Sequence, residues 1–353
     1  MICPHCAQNL LFKERPGHTC SKCGRAFALD PRTNALGLSD LRVRRVLARI
    51  TREGTVTVTP DQLWYALART RLEESRIPRG RGGAFVLIGL VVGVPGLAVG
   101  AAPMLVVSGV LLVIGAGCAA ARMAGAGRGR PVMDRAAFRK KALGAWRRVY
   151  GGLPPGVADD SAPPAFTAPG GATAQDWSGG VLLCTDPGIR TFLAANGLPD
   201  RCGVALAGRP DLLPARASDG PVVVLRDADA SGELLARAVR EALAPRPVID
   251  AGPDLRTARA LTRAVPLRER GARPGPAALA RLTALGGFTE QELAWLGKGW
   301  RIPLIALPPA RLLETAARRA GRAVGPGPER RRAAATGFMT WPAQETEDGT
   351  GER

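Results

Sequence analysis

The chain of 353 residues has two histidines, two tyrosines and only 5% aromatic residues. Neither histidine lies beyond residue 18, so imidazole acid–base chemistry is excluded from almost the whole chain. Lysine is also scarce: Lys13, Lys22, Lys140, Lys141 and Lys298 are the five among 49 basic side chains, and the other 44 are arginine. With 44 Gly and 30 Pro, this bias matches GC-rich codon usage, so part of the arginine excess carries no function. Seven cysteines in this length exclude a disulfide scaffold. An apolar content of 46% excludes wholesale disorder. No apolar run opens the chain, and no signal peptide is expected. Charge is missing altogether from residues 82–121, which excludes a single water-soluble globule.

The net charge of +19 surrounds that gap. Residues 1–81 carry 15 basic and 7 acidic side chains, and residues 122–150 carry 9 against 1, so 16 of the 19 net charges flank it. A nucleic-acid module carries its excess on its own folded surface; this distribution reads as a membrane flank. A bilayer core of ~30 Å needs about 20 apolar residues per helix. Forty residues then supply two spans, near 84–99 and 104–121, turning at Gly100–Pro103. The competing reading is a helical hairpin buried in a soluble protein, and nothing else in the chain is large enough to bury it.

Arg76, Arg79 and Arg81 precede the run; Arg122, Arg128, Arg130, Arg135, Arg139, Lys140 and Lys141 follow it. Positive flanks stay inside, which predicts a plasma-membrane protein with two spans and both termini cytoplasmic. The expected partners are the lipid bilayer and anionic lipid headgroups at the Arg/Lys flanks. Gly89/Gly93 and Gly96/Gly100 allow close packing within the hairpin, or association of hairpins from two chains as a homo-oligomer. No ionisable residue lies within the spans, so they read as an anchor rather than an ion pathway.

Residues 3–6 read CPHC and residues 20–23 read CSKC. Two C-x-x-C pairs form two knuckles that can bring four thiolates around one Zn²⁺. Cys3, Cys6, Cys20 and Cys23 are the expected ligands, with His5 and His18 as possible substitutes and a redox dithiol or disulfides as rival readings. A cytoplasmic N-terminus favours the metal. With Gly24 and a strand expected over Asn9–Lys13, residues 1–30 resemble a zinc ribbon. The resemblance implies a structural metal with no open coordination position, and ribbons bind nucleic acid, protein or nothing.

Residues 39–52 read as an amphipathic helix capped by Ser39 or Asp40, Thr55–Thr59 as a short strand, and Thr59–Leu72 as a second helix. This small basic unit reads either as winged-helix-like or as a packing domain whose Arg face meets headgroups. Residues 151–178, rich in Gly, Pro, Ala and Ser, read as a flexible linker. Beyond it, strands at 181–184, 203–207, 222–225 and 247–249 alternate with helices at 187–196 and up to 244, which predicts a mostly parallel sheet with helices on both faces.

Asp227 and Asp229 follow the 222–225 strand and, two residues apart, can point the same way and share Mg²⁺. The alternative is that Asp229 and Ser231 cap the next helix while Asp227 is solvated. The stretch PVVVLRDADASGELLARAVREAL resembles the second motif of Toprim domains over about residues 180–255. That resemblance implies metal-binding aspartates and a Glu ending the first strand. Here Thr185 holds that position, with Asp186 one residue late. After residue 255, Thr289-x-x-Glu292 reads as a capping box, helix 309–320 follows, and Trp295 and Trp300 are expected in a core.

The expected fold class is therefore multidomain: a zinc ribbon (1–30), a small basic domain (31–81), a transmembrane hairpin (82–121), a basic juxtamembrane helix (122–150), a flexible linker (151–178), a Toprim/Rossmann-like α/β domain (179–255), a helical appendix (256–321) and a disordered tail (322–353). The functions it suggests are a membrane-anchored binding or scaffold protein with a non-catalytic Toprim-like domain, or a tethered Mg²⁺-dependent enzyme acting on nucleic acid or nucleotides. A soluble nucleic-acid-binding protein is disfavoured by the bunched charge. Asp186, Asp227 and Asp229 are the catalytic candidates, and a protein or nucleic-acid partner is compatible with either reading.

Overall fold

The computed structural model describes residues 1–73, 79–123, 128–213, 220–261 and 264–324. Each cysteine knuckle is closed by a single antiparallel bridge, Ile2 to Asn9 and Thr19 to Ala26. The strand expected over Asn9–Lys13 is reduced to that one bridge, because Phe12–Glu14 turns into a 3-10 helix. Helix α1 (Asp40–Ile50) starts at Ser39, whose hydroxyl accepts from the Arg42 N–H. The Asp40 carboxylate is buried and accepts from the Ala28 and Leu29 N–H groups at 2.9 and 2.8 Å. The knuckle segment is thereby fastened to α1.

No strand forms at Thr55–Thr59. Arg52 and Glu53 take positive φ, the Thr55 hydroxyl folds back on the Thr51 and Arg52 carbonyls, and only Val58 pairs, with Val157. Helix α2 (Pro60–Glu73) follows. Next come α3 (Arg79–Val99) and α4 (Ala102–Met123), joined at Gly100 with φ +68° and packed along one another. The Ser108 hydroxyl donates to the Gly89 carbonyl at 2.7 Å, and a Cβ at Gly93 would collide with Ser108. The Gly89/Gly93 pair is thus a contact within the hairpin.

The chain returns through α5 (Arg135–Ala137), a π-helical stretch (Phe138–Leu143) and α6 (Gly144–Tyr150). Two bonds tie departure to return: the Trp64 indole N–H to the Met133 carbonyl at 2.8 Å, and the Gly129 N–H to the Leu72 carbonyl at 3.0 Å.

Residues 151–178 are not a free linker. Val157 pairs with Val58, Asp160 is buried against Arg139, and β1 (Phe166–Thr167) adds to the edge of the main sheet. Gly and Pro set the turns here, but the buried partners come from distant segments, which composition does not reveal.

The sheet contains β1, β2 (Gly180–Leu183), β3 (Val204–Ala207), β4 (Val222–Val224) and β5 (Val248–Asp250) in the order β1-β3-β2-β4-β5, parallel except for β1. Helices α7 (Pro187–Ala195), α8 (Leu198–Cys202) and α9 (Ala230–Ala242) connect its strands. Side chains alternate across the pleat. Val181, Leu183, Val222 and Val224 meet Ala236 and Val239 of α9, whereas Leu182, Leu206 and Val223 face the opposite layer with Ile189 and Phe192 of α7. That layer is continuous with Leu63, Trp64 and Leu67 of α2 and with Phe138 and Trp146 of the return helix. Asn196 adds a polar tie, its amide accepting from the Thr57 N–H and donating to the Thr57 carbonyl. The small N-terminal helices and the sheet therefore share one core.

The C-terminal part comprises α10 (Leu255–Ala260), β6 (Leu267–Arg268), α11 (Pro276–Leu285), α12 (Glu290–Gly297), β7 (Trp300–Arg301) and α13 (Pro309–Val324). Strand β7 pairs antiparallel with β6, an element too short to read from periodicity. The Thr289/Glu292 capping box forms as expected. Trp295 and Trp300 are half-buried and stacked on each other at 6.3 Å, with Trp295 packed against the edge of the main core. Helix α13 continues to Val324 and buries Leu312, Ala316 and Ala320 at four-residue intervals. Residues 325–353 of the expected tail, and Arg76 of the first flank, lie outside the described residues.

Candidate metal centre

The sulfur atoms of Cys3, Cys6, Cys20 and Cys23 all lie within 4.8 Å of one another, and the four residues are free thiols. The Cys3–Cys23 and Cys6–Cys20 separations are both 3.9 Å. A tetrahedral ion with metal–sulfur bonds of ~2.3 Å has sulfur–sulfur edges of about 3.8 Å, so the four sulfurs already have the spacing of a Cys₄ cage. Cys3 and Cys20 are buried, and Leu10 closes the cluster from beneath. These four residues can hold a metal ion such as zinc. Among the described residues, they are the one group of His, Cys, Asp and Glu whose donor atoms converge in this way.

The histidines are engaged elsewhere. His5 Nε2 sits 2.8 Å from the Ala26 carbonyl, and its backbone N–H points to Cys3 Sγ. His18 stacks on Phe27 and contacts Thr33 Oγ1. Burial pushes the Cys20 thiol up, but the N–H groups of Cys23 and Lys22 outweigh it and draw the group down to about 7. The Gln8 N–H draws Cys6 down, while burial and the other three thiols carry it up to about 11. An environment that favours one thiolate within a clustered set is what a cation reinforces, because thiolate is the ligand form.

Asp186, Asp227 and Asp229 do stand at the C-terminal ends of the neighbouring parallel strands β2 and β4. Each carboxylate is already occupied. Asp186 caps α7 through the Ile189 N–H at 2.9 Å. Asp229 caps α9 through the Gly232 N–H at 2.7 Å. Asp227 accepts from the Leu304 N–H at 2.7 Å and pairs with the Arg301 guanidinium. Arg301 also reaches Asp229 at 3.7 Å and Glu269 at 3.0 Å. A fixed cation from β7 thus stands beside the two aspartates. Asp227 is accordingly not a solvated strand-end residue. Burial pushes its carboxyl up to about 6 against the pull of Arg301 and the Leu304 N–H, with Asp229 and Asp186 adding to the rise. Thr185, at the position where the resemblance implies a Glu, is exposed.

Behind this lies a charge network that sequence reasoning missed. Arg135 approaches Asp61, Asp186 and Glu269 at 3.3, 3.9 and 3.9 Å, and Arg139 binds Asp61 at 2.8 Å as well as Asp160. No local signal marks these pairs; Asp61 and Arg139 are 78 positions apart. Cys184, which follows β2, is buried and its thiol is held strongly protonated, chiefly by burial. No family model, curated protein or solved structure matches this chain.

Proposed function

We propose that this chain is a membrane-anchored binding or scaffold protein of the plasma membrane, held by two spans with both termini and its globular body in the cytoplasm. The observation that carries this reading is the outer surface of α3 and α4. Val91, Leu97 and Val99 are 63%, 76% and 80% exposed, and Val106 and Val113 are exposed as well. A soluble protein does not leave so continuous an apolar surface in water. The stretch Ala102–Ala121 is long and apolar enough to cross a bilayer, and its strongest window is only 11% buried. Gly83–Val99, at 17 residues, is shorter. It supports a second span because the Trp64–Met133 and Leu72–Gly129 bonds bring the chain back to the body it left. The Arg-rich flanks support the cytoplasmic placement.

Within this reading, the Cys₄ cluster holds a structural Zn²⁺, the Toprim-like sheet is a non-catalytic platform, and the partner is a protein, a nucleic acid or a second copy of the chain. The placement of Arg301 against Asp227 and Asp229 supports the absence of catalysis, because a guanidinium already neutralises the charge that Mg²⁺ would need. The test is to assay the full chain in detergent for Mg²⁺-dependent nuclease or nucleotidyl transfer. No turnover above background is expected. Turnover abolished by Asp227→Asn would replace this reading with that of a tethered enzyme.

A further inference from the structure

A cleft of about 830 Å³ opens between the C-terminal end of α1, one face of α2 and the segment that leads into α13. None of its lining residues belongs to the cysteine cluster or to the Asp186, Asp227 and Asp229 set. Gln62, Tyr65, Ala66 and Arg69 line it from α2, at the three- and four-residue intervals that place side chains on one helical face. Arg49 and Arg52 approach from the end of α1, and Arg311 from the first turn of α13. The exposed side chains of Arg49, Arg52 and Arg311 therefore surround the opening, and no acidic side chain lines it among the described residues.

Two further features share that polarity. Helix α13 begins at Pro309, which has no N–H, so the N–H groups of Ala310 and Arg311 open the helix at the cleft wall. A helix N-terminus presents donors and a partial positive charge. Independently, Gln62 is 2% exposed, its Oε1 accepts from the Thr59 N–H at 3.0 Å, and its Nε2 is buried with no hydrogen-bond partner. Buried polar atoms in native proteins nearly always have a partner, so this amide donor lacks an acceptor that a ligand would supply. The floor is different in character: Ile50, Leu261, Ile305 and Leu307 are apolar.

We propose that this cleft binds a small molecule that joins a phosphate group to an apolar body. The guanidinium forks of Arg49, Arg52 and Arg311, a helix N-terminus and a lone amide donor all seek acceptor oxygens, and phosphate offers several of them with charge. The apolar floor makes bare inorganic phosphate an incomplete occupant. The ligand is either a lipid with a phosphate headgroup or a soluble organic phosphate, and both share this chemistry.

The test is calorimetric titration of the full chain in neutral detergent with three probes: inorganic phosphate, adenosine monophosphate and short-chain dihexanoyl phosphatidic acid. One organic phosphate should bind at least about tenfold more tightly than inorganic phosphate, since only it uses the floor. Preference for the phosphatidic acid identifies a lipid source, and preference for the nucleotide a soluble one. The double variant Arg49→Gln/Arg311→Gln should lose about tenfold or more in affinity. Gln62→Glu is the second variant: its carboxylate still accepts from the Thr59 N–H while replacing the amide donor with negative charge, so binding should vanish, and the melting temperature read alongside should fall because the carboxylate is buried. Failure of all three probes to bind overturns the proposal. So does inorganic phosphate binding as tightly as both organic probes, or binding indifferent to the arginines and to Gln62→Glu.

Discussion

The indole N–H of Trp64 reaches across 69 positions to the carbonyl of Met133 at 2.8 Å, and so closes the neck from which α3 and α4 project. Trp64 is fully buried beside α5 and the return helix, with Arg135 over its ring. Trp64→Phe keeps most of the apolar volume but leaves the Met133 carbonyl without this donor. The expected loss is about 1–3 kcal/mol of stability, the usual cost of an orphaned buried polar group. Thermal unfolding in detergent checks it; an unchanged midpoint would mean that the neck does not depend on this bond.

The metal prediction is one zinc per chain by elemental analysis of freshly purified protein. Cys3→Ser and Cys20→Ser should each lower that stoichiometry towards zero, because each removes one corner of the cage. His5→Ala should retain the metal, since the imidazole faces the Ala26 carbonyl rather than the sulfurs. Metal lost in the histidine variant but kept in the cysteine variants would reverse the assignment.

Asp227 sets a pH dependence. Its carboxyl is raised in the folded protein to about 6, chiefly by burial, so the folded state holds this proton more tightly than the unfolded chain. The stabilisation is complete below the ordinary aspartate range near 3.8 and is lost as pH rises through about 6. Asp227→Asn lacks this titration. Wild type should therefore lose melting temperature relative to Asp227→Asn between about pH 4 and 7, then run parallel to it. The opposite slope would mean that the Arg301 ion pair outweighs the burial.

The hairpin contact can be read from two glycines. A Cβ at Gly93 would collide with Ser108, whereas one at Gly117 meets open space. Gly93→Val should cost roughly 1–3 kcal/mol in detergent, as overpacking does, and Gly117→Val should be close to neutral. Equal effects at the two positions would deny that α3 and α4 pack through Gly93.

What could be read from the sequence was local. Apolar runs of strand length gave β2, β3 and β4, the paired C-x-x-C knuckles gave the cysteine cluster, and Thr289 with Glu292 gave the start of α12. What could not be read was partnership at a distance. Arg301 meets Asp227 from 74 positions away, and Asn196 meets Thr57 from 139. The same holds for 151–178, whose Gly- and Pro-rich composition signals turns but not the docking of Asp160 on Arg139 or of Phe166 on Ala207. The aspartate pair was found for its metal-like spacing; the arginine that changes its meaning lies in a two-residue strand with no signature of its own.

The central claim is that α3 and α4 anchor the chain in a membrane, and alkaline carbonate extraction of cell membranes containing the intact chain tests it most directly. The chain should stay in the membrane pellet and be released only by detergent, because the apolar outer surface of α3 and α4 is left uncovered by the other described residues. Recovery of the intact chain in the carbonate supernatant, or in the soluble fraction without detergent, would contradict the account.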